Sequence, residues 1–121
     1  MGSERSLLKS FSFAFEGLKE ALREEPNFRI HILIGASALI LASFLGFSPT
    51  EWIILIFTII FVLVLELINT AVEEAVNLIS KEVSKEAKVA KDVMAAAVLL
   101  GALLAVVVGL TLFLPKITIL L

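Results

Sequence analysis

Cysteine is absent from this sequence, and charged residues are scarce in it. The lack of cysteine excludes disulfides and thiol chemistry, and it leaves the redox compartment open. Hydrophobic residues make up 60% of the 121 residues and charged residues only 18%. A chain this short and this apolar cannot hide its hydrophobic side chains in a water-soluble core. The sequence therefore predicts one domain, residues 1–121, embedded in a lipid bilayer.

Sequence signals that mark other classes of protein are also missing. The formal net charge of −2 is too small, and the basic residues too dispersed, to favour nucleic-acid binding. Neither a G-x-x-x-x-G-K-[ST] phosphate loop nor a soluble-kinase signature is present. The charged opening residues do not resemble a cleavable signal peptide. Any nucleotide site in this chain must therefore be unconventional.

Four helices are predicted from the hydropathy pattern. In residues 6–25, apolar and charged residues fall on opposite helical faces, which predicts an amphipathic helix in the headgroup plane of the membrane. Three longer apolar segments predict transmembrane helices, and the last two extend into the cytoplasmic interface. These segments are residues 28–47, 49–79 and 85–114. The predicted fold is an all-α membrane protein with one surface helix and three spans.

Capping residues and prolines place the ends of the predicted helices. Pro26 is expected to close the surface helix, because the residue before a proline is disfavoured in the helical conformation. Ser48 and Glu51 have the spacing of a capping box and predict the start of the second span. Ser84 is expected to cap the last helix, and Pro115 to end it.

The distribution of basic residues predicts the topology. Five basic residues precede or open the first span, none lies between spans one and two, and four lie between spans two and three. The first group is Arg5, Lys9, Lys19, Arg23 and Arg29, and the second is Lys81, Lys85, Lys88 and Lys91. The positive-inside rule then places the N-terminus in the cytoplasm and the C-terminus outside, with only Lys116 on the outer side.

A stripe of polar residues lies along the end of the second span. Its members fall within one helical face about 100° wide. They are Glu66, Asn69, Thr70, Glu73 and Asn77. An acid at the depth of Glu66 would cost about 3 kcal/mol if it faced lipid, so a partner, an ion or a catalytic role is expected. A solvated helix end with surface acids is the alternative, and it is our interpretation of Glu74.

The predicted topology brings further polar residues to the same membrane boundary. Glu25, Glu73, Lys91 and Asp92 share one cytoplasmic plane, with Glu66 just beneath it. Carboxylates can hold a divalent cation, a lysine can bind phosphate, and a buried carboxylate can accept a proton from a hydroxyl. These are the components of phosphoryl transfer. A proton relay, a cation pathway or a non-catalytic membrane assembly protein would use the same residue types.

Two other features are interpreted as structural. His31, the lone histidine, is expected to form hydrogen bonds near the interface rather than to bind metal or act as a base. Small residues recur every four positions along the third span and predict close helix packing. They are Ala97, Gly101, Ala105 and Gly109.

Three segments of the sequence, EEPNFRIH, ELINTAVE and AKDVMAAAVLL, resemble the small bacterial integral-membrane diacylglycerol kinase and undecaprenol kinase family. The resemblance covers nearly the whole chain. It implies a homotrimer of three-span subunits in the inner membrane, with active sites between neighbouring subunits. It also implies transfer of the ATP γ-phosphate to a lipid hydroxyl with Mg²⁺ as cofactor.

The resemblance also implies a role for each matching residue. Glu66 looks like the general base, with Asn69 as its polar neighbour. The remaining matches are Glu25 and Glu73 as metal-binding acids, Lys91 and Asp92 as nucleotide-site residues, and Arg5 as a counterpart of the family's N-terminal arginine. Asn77 and Ala95 depart from the family pattern, which often has aspartate and in some members serine there. The segments NFRIH and Glu51-Trp52 look more like the undecaprenol kinase branch, while the geometry alone suits either lipid.

Overall fold

The computed structural model describes residues 3–82 and 84–121, with side chains from Ser6 onward. This part of the chain forms four α-helices joined by short connections. They are α1 (Ser3–Glu24), α2 (Pro26–Leu45), α3 (Pro49–Ile79) and α4 (Lys85–Leu120). Helices α2, α3 and α4 are each long and apolar enough to cross a membrane. The prediction of an all-α fold with three candidate spans is confirmed, while the surface position of α1 and the homotrimer stay predictions.

The bend between α1 and α2 occupies a single residue. Glu25 has an extended backbone, with φ −112° and ψ 102°, and Pro26 is the first residue of α2. Proline suits that position because its fixed φ is helical and the missing N–H would have no partner there. The first span therefore begins two residues before the predicted start. It ends at Leu45, where Gly46 takes the left-handed conformation (φ 69°) that terminates helices.

The predicted caps of α3 and α4 are confirmed. Ser48 Oγ accepts the Glu51 N–H at 3.2 Å, and Glu51 Oε1 accepts the Ser48 N–H at 3.0 Å, which completes the capping box. Ser84 Oγ accepts the Ala87 N–H at 3.0 Å at the start of α4. These contacts satisfy N–H groups that have no partner within the helix.

Helix α4 does not end at Pro115, as the sequence suggested, but continues through it to Leu120. The proline removes one backbone hydrogen bond, and contacts on both sides of it hold the helix in place. Phe113 packs on Phe47, with ring centroids 4.9 Å apart. Lys116 Nζ lies 3.0 Å from Glu51 Oε1 and 5.6 Å from the centroid of the Phe47 ring. Tertiary contacts therefore outweigh the local helix-breaking tendency of proline.

Helix α3 is central, because it packs along α4 and against α2. The buried core is small and lies where the α2–α3 connection meets α4; it consists of Ala42, Phe47, Leu55 and Leu112. Elsewhere large apolar side chains are exposed, for example Phe44 at 82%. Such a surface is stable when lipid or another apolar surface covers it.

Two glycines allow the helices to approach closely. A Cβ atom on Gly101 of α4 would lie 2.5 Å from Leu65 Cδ1, and one on Gly35 of α2 would lie 2.8 Å from Ile59 Cγ2. Gly109, two small-residue repeats beyond Gly101, has no such neighbour within 4 Å among the described residues. The small-residue stripe of α4 therefore packs tightly against α3 at Gly101 but not at Gly109.

We expect Gly101→Val to destabilise the protein by about 1–3 kcal/mol, because the added side chain overlaps Leu65. Gly109→Val is the matched control on the same stripe and should change stability by much less. Denaturant-induced unfolding in detergent, followed by circular dichroism, measures both effects. Equal losses in the two variants would contradict the packing described here.

Candidate active site

Glu66 is a carboxylate buried within the apolar part of α3. The residue is 4% exposed, and its Oε1 accepts no hydrogen bond within the described part of the chain. Asn69 Oδ1, one turn further along, is also buried and unbonded there. Buried acceptors normally have partners, because an unpaired one costs free energy. The pair therefore marks a place where a bound group can complete the hydrogen bonding.

His31 of α2 faces Glu66 across the helix interface. Its Nε2 lies 3.3 Å from Glu66 Oε1. The sequence predicted that His31 forms hydrogen bonds near the interface, but it did not place this residue in the site. The similar depths of His31 and Glu66 in the membrane could have revealed the contact. His31 is six residues from Glu25, and Glu66 is seven from Glu73, so at 1.5 Å per residue both lie about 10 Å beneath the boundary acids.

Glu25 and Glu73 lie close together at the mouth of the site, as the predicted topology requires. The pKa of Glu25 is raised above its usual value, first by partial burial and then by repulsion from Glu73. Glu66 and Glu74 add smaller repulsions of the same sign. The bend at Pro26 thus holds Glu25 near the acids of α3. The combined negative charge of these carboxylates favours the binding of a cation.

Lys91 and Asp92 are adjacent in sequence but have different partners. Lys91 Nζ donates to Asn77 Oδ1 at 2.8 Å, which joins α4 to α3 one turn beyond Glu73. Asp92 is exposed and pairs with Lys88 of the same helix at 2.6 Å. The structure therefore brings Lys91 to the acidic face of α3 and places Asp92 outside the pocket lining. The side chain of Arg5 lies outside the described residues.

An open pocket of about 460 Å³ lies beside Glu66. Glu66, Asn69 and Glu73 line it from α3, and Asn27 and His31 line it from α2. The wall contributed by α4 is apolar and consists of Ala95, Val98, Leu99 and Ala102. Asn27 is a second pocket residue that the motif analysis did not single out. The pocket thus combines a polar wall with an apolar one.

A second cavity, of about 260 Å³, lies deeper between α2, α3 and α4. Gly35 and Ala38 line it from α2, Thr58 from α3 and Gly109 from α4. His31 lines both this cavity and the open pocket. The cavity and the open pocket therefore share His31 as a wall residue.

A family model described as prokaryotic diacylglycerol kinase matches residues 12–113. The chain belongs to the prokaryotic diacylglycerol kinase family. It is 39% identical over 108 residues to an undecaprenol kinase of Bacillus subtilis, covering 89% of this chain and 88% of that protein. It is 40% identical over 111 residues to a diacylglycerol kinase of Synechocystis, covering 91% of this chain and 63% of that protein. The recognised resemblance is confirmed, and the chain is an enzyme of this kinase family.

The acids at the mouth of this kinase fit a shared magnesium ion rather than a metal cage. Among the described residues, no group of three His, Asp or Glu side chains could hold a metal by itself. Mg²⁺ in kinases is commonly bound by one or two carboxylates together with substrate phosphates and water. The repulsion between Glu25 and Glu73 shows that these two carboxylates are close enough to interact.

We expect Glu73→Gln to stabilise the metal-free kinase at alkaline pH, because it removes repulsion on ionised Glu25. A raised folded-state pKa means that the destabilisation is present above that pKa and disappears as Glu25 becomes protonated. The gain should therefore shrink as the pH is lowered through the pKa of Glu25. Thermal unfolding in EDTA over a pH series measures it. A Glu25→Gln variant is the control and should show no comparable gain when Glu73→Gln is added.

Proposed function

We propose that this protein is an ATP-dependent lipid kinase, which transfers the γ-phosphate of ATP to a lipid hydroxyl at the cytoplasmic face of a bacterial inner membrane. The observation that supports this most strongly is Glu66, a buried carboxylate with an unbonded oxygen beneath two boundary acids. The family assignment supports a kinase over the ion- or proton-conducting alternative.

Glu66 is the proposed general base. Its carboxylate accepts the proton of the lipid hydroxyl while the hydroxyl oxygen forms a bond to the γ-phosphorus. The bond between the γ-phosphorus and the bridging oxygen breaks, and its electron pair leaves with ADP. Burial supports this role, because it excludes water that would compete with the lipid for the γ-phosphate.

Glu25 and Glu73 are the proposed ligands of Mg²⁺. A magnesium ion held by these two carboxylates would neutralise the phosphate charge of ATP. Lys91 is proposed to contact phosphate oxygens as a positive charge, held by Asn77. The side-chain amide of Asn69, which lines the pocket, is proposed to form hydrogen bonds with the substrates. Asp92 and Arg5 are proposed nucleotide contacts at the pocket rim, as the family resemblance implies.

The proposed acceptor is undecaprenol. The chain covers 88% of the Bacillus subtilis undecaprenol kinase, and the cavity lined by Gly35 and Ala38 offers an apolar space next to Glu66. Ala42, another small residue of α2, is instead fully buried in helix packing. A homotrimer would enclose the open sides of this cavity with neighbouring subunits.

The two lipids can be compared directly with purified protein and labelled ATP. We expect a higher kcat/KM for undecaprenol than for diacylglycerol, because the chain is similar to an undecaprenol kinase over most of its length and the apolar cavity can hold the start of an isoprenoid tail. Both lipids should be presented in the same detergent micelles. A clear preference for diacylglycerol would reverse the acceptor assignment and leave the kinase assignment intact.

The topology is a further prediction. The N-terminus is expected in the cytoplasm and the C-terminus outside, because the basic residues flank the proposed cytoplasmic ends of the spans. Reporter fusions at residue 121 and at the connection after Ile79 test this, and they should report opposite sides of the membrane. A cytoplasmic reporter at residue 121 would separate the proposed site from cellular ATP.

The roles of Glu66 and Glu73 differ and can be separated by mutation. Glu66→Gln should lower turnover by roughly 10²-fold or more while ATP binding persists, as expected for a general base. Glu73→Ala should abolish magnesium-dependent ATP binding, because it removes an oxygen ligand. Glu74→Gln, an exposed neighbour, is the control for both. Near-normal turnover in Glu66→Gln would rule out the base assignment, provided that the variants unfold like the wild type.

A further inference from the structure

His31 and Glu66 form a contact between two spans that the proposed reaction leaves unexplained. The His31 Nε2 atom lies 3.3 Å from Glu66 Oε1. The Glu66 side chain is 5% exposed and that of His31 is 26% exposed, so the histidine is the more accessible of the two. The contact therefore connects a buried carboxylate to a group at the edge of the pocket.

The chemistry of the two groups fixes which of them donates. An ionised carboxylate has only acceptor lone pairs, and an unprotonated imidazole nitrogen is also an acceptor. Two acceptors facing each other at this distance would repel. We therefore expect Nε2 to carry a proton when Glu66 is ionised, within reach of a hydrogen bond to the carboxylate.

The nearby hydroxyl groups of α3 do not replace this donor. Thr70 Oγ1 donates to the Glu66 backbone carbonyl at 3.0 Å, and Thr58 Oγ1 donates to the Ile54 carbonyl at 2.7 Å. Glu66 Oε1 accepts no hydrogen bond within residues 6–82 and 84–121. His31 is thus the donor best placed to orient the carboxylate.

We propose that His31 is a positioning residue for the proposed base Glu66. The imidazole donates its Nε2 proton to Oε1 and fixes the plane of the carboxylate, so that Oε2 is the oxygen presented to the lipid hydroxyl. The proposal rests on the proposed function of Glu66. The position of His31 supports it, since this residue lines both the apolar cavity and the polar pocket that contains Glu66.

The protein itself provides a direct spectroscopic test, because His31 is its only histidine. The ¹⁵N spectrum of selectively labelled protein in detergent shows which imidazole nitrogen is protonated without any assignment step. We expect a protonated Nε2 whose resonance moves in Glu66→Gln and stays unchanged in Glu74→Gln. An unprotonated Nε2, or a spectrum that does not respond to Glu66→Gln, would overturn the proposal even if the enzyme is an active lipid kinase.

Kinetics test the consequence for catalysis. The amide nitrogen of His31→Gln can replace Nε2 as a donor, whereas His31→Leu cannot. We expect His31→Leu to lower kcat by about 10- to 100-fold, the effect of losing a hydrogen bond to a charged group, with an unchanged KM for ATP. His31→Gln should recover most of the lost turnover. Equal losses in both variants, or a change confined to the KM for ATP, would indicate a structural or nucleotide-side role instead.

A double-mutant comparison separates this inference from the assignment of Glu66. In a Glu66→Gln background, His31→Leu should cause little further loss, because the group that it orients is no longer a base. Full additivity would exclude positioning through Glu66. If Glu66→Gln itself remained active, the proposed function of Glu66 would fail, while the ¹⁵N spectrum would still report whether the two side chains are paired.

Discussion

The burial of the Glu66 carboxylate is the constraint on which the other features of the site depend. A charged side chain facing hydrocarbon near the middle of a span would cost about 3 kcal/mol, so other helices must cover it. Helix α2 places His31 Nε2 3.3 Å from the carboxylate, and α4 supplies an apolar wall. The close approach of the helices at Gly35 and Gly101 makes that cover possible. The packing of the helices therefore determines whether the site can hold a buried carboxylate.

The acids at the mouth of the site impose a second constraint. Glu25 is held beside Glu73 by a bend of one residue, and the raised pKa of Glu25 records the repulsion between them. This repulsion raises the free energy of the metal-free protein, and a bound cation would relieve it. A nucleotide–magnesium complex would provide that cation together with phosphates for Lys91. Under the proposed function, a glycine-rich phosphate loop would then not be needed.

Much of the fold could be predicted from local patterns, since a long apolar segment and a capping box each depend on neighbouring residues. The start of α3 at the Ser48 cap is an example. Pro115 was interpreted wrongly because contacts with distant residues, Phe47 and Glu51, hold the helix through it. His31 was missed for the same reason. Its partner lies 35 positions away, and the pairing follows from the relative depth of two antiparallel helices rather than from a motif.

The site residues likewise divide into those whose positions could be predicted from the sequence and those whose positions could not. Glu25 and Glu73 could be brought together by topology alone, because the basic residues fix which helix ends meet. The orientation of Lys91 toward Asn77, with Asp92 turned toward Lys88, could not be predicted, since consecutive residues of a helix point about 100° apart. A one-residue change in where α4 begins would rotate both side chains by about 100° about the helix axis. Sequence motifs identify such residues but do not orient them.

The contacts that join the three spans differ between the two ends of the bundle. The core cluster, the aromatic contact between Phe47 and Phe113 and the Lys116–Glu51 ion pair all lie at the end of the helices opposite the site. At the site end, the hydrogen bond from Lys91 to Asn77 joins α3 and α4 through exposed, solvent-screened groups. Near Glu66, α3 and α4 are therefore held together by the packing of Gly101 on Leu65 and by this exposed hydrogen bond, whereas the opposite end is held by the connected core.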